Sequence, residues 1–304
     1  MLGRATGRSE REGPVGSGGP VKAAVRRAAK AVRFASARPT TALRPLPDFL
    51  ILGAQRSGTT SMYRYLARHP AVAPVLFGKG VHFFDANFER GLDWYRSHFP
   101  TAAYRAVVSW RAGVRAMTGE GSPYYLFHPL AAVRIAEALP AVRVIVMLRD
   151  PAGRAYSHYN HERARGFEPL TFEEALLAEP ERLRGEEERL IDHPGATSFE
   201  HQHHSYIARG MYAGQLRRLG ELVSSERVLV VVSEEFYENP DREYRRALRF
   251  LGLPERSLAA YERANSRRYP PMPAPTRALL DERFGQPNRE LAHLLGRELP
   301  WGAR

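Results

Sequence analysis

FLILGAQRSGTTSMY, residues 49–63, decides the fold of this chain. An apolar run, Asp48 to Leu52, predicts a buried strand, and it leads directly into a turn flanked by Gly53 and Gly58. Hydroxyl residues then open a predicted helix from about Thr59 to Arg68. The glycines permit a close backbone turn, the amides of Ser57 to Ser61 would converge on one point, and the helix adds its positive N-terminal dipole. These are the parts of a phosphate cradle, and the candidate anion-binding residues are Arg56, Ser57, Gly58, Thr59, Thr60 and Ser61. The spacing from Gly53 through Gly58 to Thr60 imitates the loop G-x-x-x-x-G-K-S/T, with Thr59 where that loop has its lysine and a cation at Arg56 instead. Loss of that lysine argues against nucleoside triphosphate chemistry, in which it serves the β and γ phosphates.

Two more apolar runs extend the pattern. Val142 to Leu148, broken only by Arg143 and bounded by Pro140 and Arg149-Asp150-Pro151, predicts a strand buried on both faces. Asp150 as N-cap and Pro151 at the first helical position predict a helix to about Arg165. Val228 to Val232 predicts a third strand before a helix near Pro240 to Leu251, and a further strand is expected near Val72 to Leu76. Strands alternating with helices give an α/β fold: a three-layer sandwich with a central, mostly parallel sheet, P-loop NTPase-like, with helices on both faces. Ligands of such folds bind at the carboxyl ends of the strands.

The 304 residues, 43% hydrophobic and 26% charged, can bury one sizeable core or two at most. Absence of cysteine excludes disulfides, thiolate metal sites and cysteine nucleophiles, and fits a reducing compartment. No run approaches the roughly 18–20 apolar residues that cross a bilayer, so a cytoplasmic location is expected. The formal charge is +12, but residues 1–46 hold ten Arg or Lys against Glu10 and Glu12, a net +8 that leaves +4 for the rest. The expected division is therefore a basic, disordered extension over 1–46 and a folded domain over 47–304. So mildly basic a body argues against specific nucleic-acid binding, while the extension suits weak contact with an anionic surface.

A second anion site is expected in RDPAGRAYSHY, residues 149–159, where the second strand turns into its helix. Arg149 can reach a phosphate with two parallel N–H groups, and Ser157, about two turns into the helix, can add a hydroxyl. Two such grips fit one bisphosphorylated nucleotide. The two segments resemble those of sulfotransferases that use 3′-phosphoadenosine 5′-phosphosulfate (PAPS): the first its phosphosulfate loop, the second the segment that grips its 3′-phosphate. The resemblance, over roughly residues 48–301, implies PAPS as sulfuryl donor and no metal.

KGVHFFD, residues 79–85, resembles the K-E-x-H-F-F-D stretch of glycan-modifying sulfotransferases related to the heparan sulfate enzymes, in which the glutamate is the proposed general base. Gly80 stands at the glutamate's place and cannot take a proton. Sulfuryl transfer needs a base within reach of the acceptor proton and cations around the sulfate. His82, with an ordinary pKa of about 6.5, is the expected base, oriented by Asp85; Glu120, in the glycine-flanked GEGSP at an expected loop, is the other carboxylate weighed. Arg56 and Lys79, the only lysine of the folded body, would counter the developing charge. Weaker resemblances continue at YIARGMYAGQL, residues 206–216, and at Glu234-Glu235-Phe236, and Arg267 and Arg268 lie where the family closes a basic loop over the nucleotide. The implied acceptor is a hydroxyl or amine of a carbohydrate, glycolipid or glycosylated metabolite. Two alternatives stay open: a P-loop small-molecule kinase, and a catalytically impaired PAPS-binding protein, which Gly80 favours. The spacing of His201, His203 and His204 does not put three imidazoles on one helical face, so no metal site is expected.

Overall fold

Phe49–Gly53 (β1), Gly119–Glu120 (β2), Arg143–Leu148 (β3) and Val228–Val232 (β4) form one parallel sheet in the order β2-β1-β3-β4. The computed structural model describes residues 38–264 and 269–301. Every residue of β1 is buried, as is every residue of β3 after Arg143, because helices cover both faces of the sheet. The two-residue strand period sorts these side chains. Leu50, Leu52, Val144, Val146 and Leu148 enter one core with Phe83, Phe84, Ile135 and Leu216. Phe49, Ile51, Ile145, Met147, Leu229 and Val231 enter the other with Met62, Leu66, Tyr244 and Leu248. The three-layer α/β sandwich read from the sequence is thus the observed one.

Local chemistry sets the helix boundaries. Thr59–Leu66 follows β1, and Pro151–Ala164 follows β3 with Asp150 accepting from the Gly153 amide at 3.1 Å and Pro151 in the first turn. Pro240–Leu251 is capped by Asn239, which accepts from the Arg242 amide at 3.0 Å, and ends at Gly252 with φ 71°. A third apolar cluster seats the long helix Ala274–Leu295 through Leu280 and Phe284 on Ala152, Ala155 and Tyr206. Arg277 of that helix pairs with Asp150 at 2.6 Å, tying it to the cap after β3. The described chain begins with a 3₁₀ turn, Arg38–Leu43, and the buried Arg44 behind it donates to the Phe99 carbonyl. Among the described residues, no helix is long and apolar enough to cross a membrane.

Two expectations are corrected. The strand expected near Val72 to Leu76 is a single parallel bridge, Val72 to Met117. Pro74 has no amide proton with which to extend the ladder. Glu120 belongs to no loop: it is the second residue of β2, paired in register with Leu50.

Chain order diverges from β1 and β3, with β2 outside one and β4 outside the other, so the crevice of this sheet opens between the carboxyl ends of β1 and β3. One side of that crevice rests on the aromatic core around Phe84, whose ring lies 4.9 Å from that of Phe83, 5.2 Å from Tyr95 and 5.5 Å from Tyr125. Phe84→Ala should therefore lower unfolding free energy by about 3–5 kcal/mol. Chemical denaturation checks this, and a loss under about 1 kcal/mol would mean that the cluster closes over the gap.

Candidate active site

Gly53 is required by space at the start of the turn after β1: a Cβ there would lie 2.8 Å from the Pro123 carbonyl oxygen and 2.9 Å from Leu126 Cβ. Gly58, at φ 87°, is the N-cap of the Thr59–Leu66 helix and supplies no side-chain cap, which leaves the first helical amides to a ligand. A Cβ on Gly58 would come within 2.8 Å of the Tyr237 hydroxyl. Arg56, at φ 70°, and His82, at φ 54°, are the two non-glycine residues with positive φ among the described residues. Such backbone states cost on the order of 1–3 kcal/mol each and concentrate at functional sites. The Ser57 carbonyl accepts from Ser233 Oγ at 2.6 Å, which pins the loop to the end of β4.

Lys79 arrives from the neighbouring loop. Its Nζ donates to Thr59 Oγ1 at 2.8 Å and to Thr60 Oγ1 at 3.2 Å, so a cation reaches the place where the sequence spacing lacks one. Gly121 makes room for it: a Cβ there would meet Lys79 Cε at 2.8 Å, and the Gly121 amide donates to the Lys79 carbonyl at 3.0 Å. Burial lowers the ammonium pKa to about 7; the charge of Glu120 opposes that shift and Arg64 adds to it. Glu120 itself is wholly buried. Its carboxylate accepts from Ser122 Oγ at 2.8 Å, from the Val81 amide at 3.3 Å and from the Tyr95 hydroxyl at 3.4 Å, and burial raises its pKa. It holds the loop that carries Lys79 and has no surface to offer an acceptor.

The imidazole of His82 lies beside Gly80. A Cβ on Gly80 would lie 3.2 Å from His82 Nε2 and 3.4 Å from its Cδ2. His82 Nδ1 and Asp85 Oδ2 are 2.7 Å apart, and Asp85 is buried. Ser122 Oγ accepts from the His82 amide at 2.9 Å, and Asn87 Nδ2 donates to the His82 carbonyl at 2.7 Å, which fixes the left-handed backbone. The ring is about one-third exposed. Burial alone would lower the imidazole pKa; the hydrogen bond and charge of Asp85 outweigh it, so the net shift is upward. With Nδ1–H donated to Asp85, the neutral ring presents Nε2 as an acceptor on the side of Gly80.

The two expected anion grips are joined. Arg56 Nε donates to Ser157 Oγ at 3.1 Å, and Arg149 Nη1 donates to the Arg56 carbonyl at 3.2 Å. They open on one cavity of about 360 Å³, lined by Arg56, Gly58, Thr59, Thr60, Lys79, Arg149 and Ser157. Among the described residues, no Asp or Glu lines it. The side chains of Ser57 and Ser61 are buried outside that lining; Ser61 Oγ accepts from the Ala264 amide at 3.0 Å. His82 and Asp85 are not part of the lining either, and stand beside it in the loop of Lys79. Arg267 and Arg268 lie outside the described residues. The cavity also takes Gln55, His161, Tyr237, Arg263 and Tyr269, which sequence reading had not singled out. His161 follows Ser157 by one helical turn, a spacing that would have signalled it. Tyr237 and Arg263, whose guanidinium lies 4.2 Å over the Tyr237 ring, come from distant segments with no local signal. The downstream histidines separate: His201 bonds Tyr124 at 2.6 Å, His203 faces Glu162 at 3.1 Å and His204 faces Glu200 at 2.5 Å.

A parallel sheet with a glycine-bounded loop after β1 and a cationic cavity at its crevice is a P-loop-like arrangement suited to an anionic ligand. Residues 46–266 match the model of the sulfotransferase domain family, and the chain belongs to that family. It is 32% identical over 276 residues to the bifunctional heparan sulfate N-deacetylase/N-sulfotransferase 2 of Mus musculus, covering 83% of this chain and 30% of that protein. The Homo sapiens counterpart is 30% identical over 287 residues, with the same coverage. The chain thus spans less than a third of the length of these curated relatives. A crystal structure of a sulfotransferase from Alicyclobacillus acidocaldarius superposes with a TM-score of 0.63 at 30% identity, covering 84% of this chain and 99% of that one. Membership of this family sets the kinase alternative aside.

If Arg56 contacts the anion, Arg56→Ala should weaken binding of adenosine 3′,5′-bisphosphate roughly ten- to hundredfold, as expected for a lost charge-assisted hydrogen bond. Titration calorimetry reads this directly, and an unchanged Kd would remove Arg56 from the contact.

Proposed function

We propose that the protein transfers the sulfuryl group of PAPS to a hydroxyl or amine of a carbohydrate, glycolipid or glycosylated metabolite. The observation that carries this reading is the convergence of Arg56, Lys79 and Arg149 with Ser157 on one cavity that no described carboxylate lines. That lining suits a donor with negative charge at both ends. When bound, PAPS supplies an activated sulfuryl group whose departure leaves adenosine 3′,5′-bisphosphate. Arg56 and the amides of Ser57, Gly58, Thr59, Thr60 and Ser61 would hold the phosphosulfate end, and Arg149 and Ser157 the 3′-phosphate. Arg267 and Arg268 are assigned to the same nucleotide by the family pattern alone. Lys79, already bonded to Thr59 and Thr60, would neutralise charge at the loop.

His82 is assigned as the general base: Nε2 takes the acceptor proton while Asp85 keeps Nδ1 protonated and stabilises the imidazolium that forms. Support comes from the space beside Gly80, where a Cβ would lie 3.2 Å from His82 Nε2, so the imidazole is next to the position that the resembling enzymes fill with glutamate. A neutral imidazole held by Asp85 next to Gly80 supports an active enzyme over an impaired PAPS-binding protein. The acceptor class rests on the relatives, two of which are named for heparan sulfate. The catalytic domain is proposed as residues 47–304 behind a basic extension over 1–46, and a cytoplasmic site rests on the absence of cysteine.

Transfer of labelled sulfate from PAPS to a panel of glycans and hydroxylated metabolites tests the reading. His82→Ala should lower kcat at least about a hundredfold with little change in donor KM. Adding Gly80→Glu to His82→Ala should recover part of the loss, since the vacated slot then admits a carboxylate; no recovery would mean that His82 does not replace the glutamate.

The pH profile carries its own signs. Lys79 contributes charge below about pH 7 and loses it above, so kcat/KM for PAPS should fall as pH rises through that value. His82 must be neutral to act, and its raised pKa places the acid limb above that of an ordinary imidazole. Asp85→Asn removes the charge that favours the imidazolium and should move the acid limb down, whereas Lys79→Met should abolish the fall near pH 7. Limbs unmoved by both substitutions would reassign the titrating groups.

A further inference from the structure

The helix Ala102–Ala112 is packed the wrong way round for a helix at a protein surface. Arg105 is its one buried residue, and the guanidinium reaches inward to Asp48 at 2.7 Å and to the Ala116 carbonyl at 2.8 Å. The apolar side chains point out instead. Tyr104, Val107 and Trp110 recur at i, i+3 and i+6 on one face and are 51%, 48% and 82% exposed. Tyr104 also borders a hollow of about 400 Å³ with Val75 and Leu76. Scattered exposed apolar residues are ordinary, but a continuous row marks a contact surface. This helix carries no Asp or Glu; Arg111 is in its last turn and the exposed Arg115 follows it.

We propose that this outward face docks on an anionic lipid bilayer, with Tyr104, Val107 and Trp110 entering the headgroup region and Arg111 meeting the lipid phosphates. Tyr and Trp, with apolar bodies and polar tips, suit that boundary. Charge selects this occupant. Ten Arg or Lys against two Glu precede residue 47, and the described chain starts at Arg38–Leu43, directly before Arg44, which lines the same hollow as Tyr104. A second copy joined through this face by a two-fold axis would set two such +8 segments together, and they would repel. An anionic membrane neutralises them. The inference is independent of the sulfuryl-transfer reading.

Sedimentation of the full chain with vesicles tests it, using phosphatidylcholine alone and phosphatidylcholine mixed with phosphatidylglycerol. The chain should pellet with the mixed vesicles at low salt, and binding should fall at high salt or without phosphatidylglycerol. The double substitution Val107→Ser with Trp110→Ser should weaken binding about tenfold, while Trp110→Phe should hold it within about twofold. These side chains are exposed, so thermal midpoints should match the parent. No pelleting of the parent, equal binding by the serine variant, or a lipid-free dimer that the serine variant abolishes would each overturn the proposal.

Discussion

Like charges held together in one crevice are the constraint on which the site depends. Two unit charges 4 Å apart near a protein surface repel by on the order of 4 kcal/mol, so a cavity lined by Arg56, Lys79 and Arg149 is costly unless something relieves it. The fold relieves it in pieces. Arg56 spends its Nε on Ser157, and Arg149 an Nη on the Arg56 carbonyl, which places neutral oxygens between the guanidinium groups. Lys79 is buried until its pKa is near 7, so in the empty cavity part of its charge is absent at neutral pH. Glu120, in β2 behind the loop, supplies negative charge without entering the cavity. A bound anion would relieve the remainder, which suits the proposed doubly charged nucleotide.

The sequence carried the scaffold of this site more faithfully than its contents. β1 and β3 were legible because strands buried on both faces must be continuous apolar runs, and the helix after β3 because Asp150 and Pro151 are local signals acting within one turn. Glu120 was read as a loop carboxylate because glycines flank it. Those glycines serve close packing rather than a turn: a Cβ on Gly119 would lie 2.5 Å from the ring of Phe49, and one on Gly121 would strike Lys79. The position of Lys79 against Thr59 and Thr60 was hidden for another reason. It depends on two loops about twenty residues apart meeting in space, which no periodicity encodes. Tyr237, Arg263 and Tyr269 are further cases, brought to the cavity only by the packing of the layers.

Backbone strain points to the same two loops. Arg56 and His82 both sit at positive φ, where L side chains crowd the following carbonyl. Each is held by bonds that a relaxed loop would lack: the Arg56 carbonyl by Arg149, the His82 amide by Ser122 and its carbonyl by Asn87. The surrounding contacts offset the cost and hold both residues in these orientations.

Glycine at position 80, where the resembling enzymes carry glutamate, leaves the electrostatics of this loop to Lys79, His82, Asp85 and Glu120. With Gly80 there, the His82 imidazole has Asp85 as its hydrogen-bonded counter-charge, and buried Glu120 acts on both His82 and Lys79. Against burial and the charge of Lys79, His82 is drawn upward by Asp85 and Glu120, and Lys79 is drawn downward by burial against Glu120. Their opposite shifts bring two groups with ordinarily distant pKa values closer together, as a base and a cation serving the proposed transfer would require.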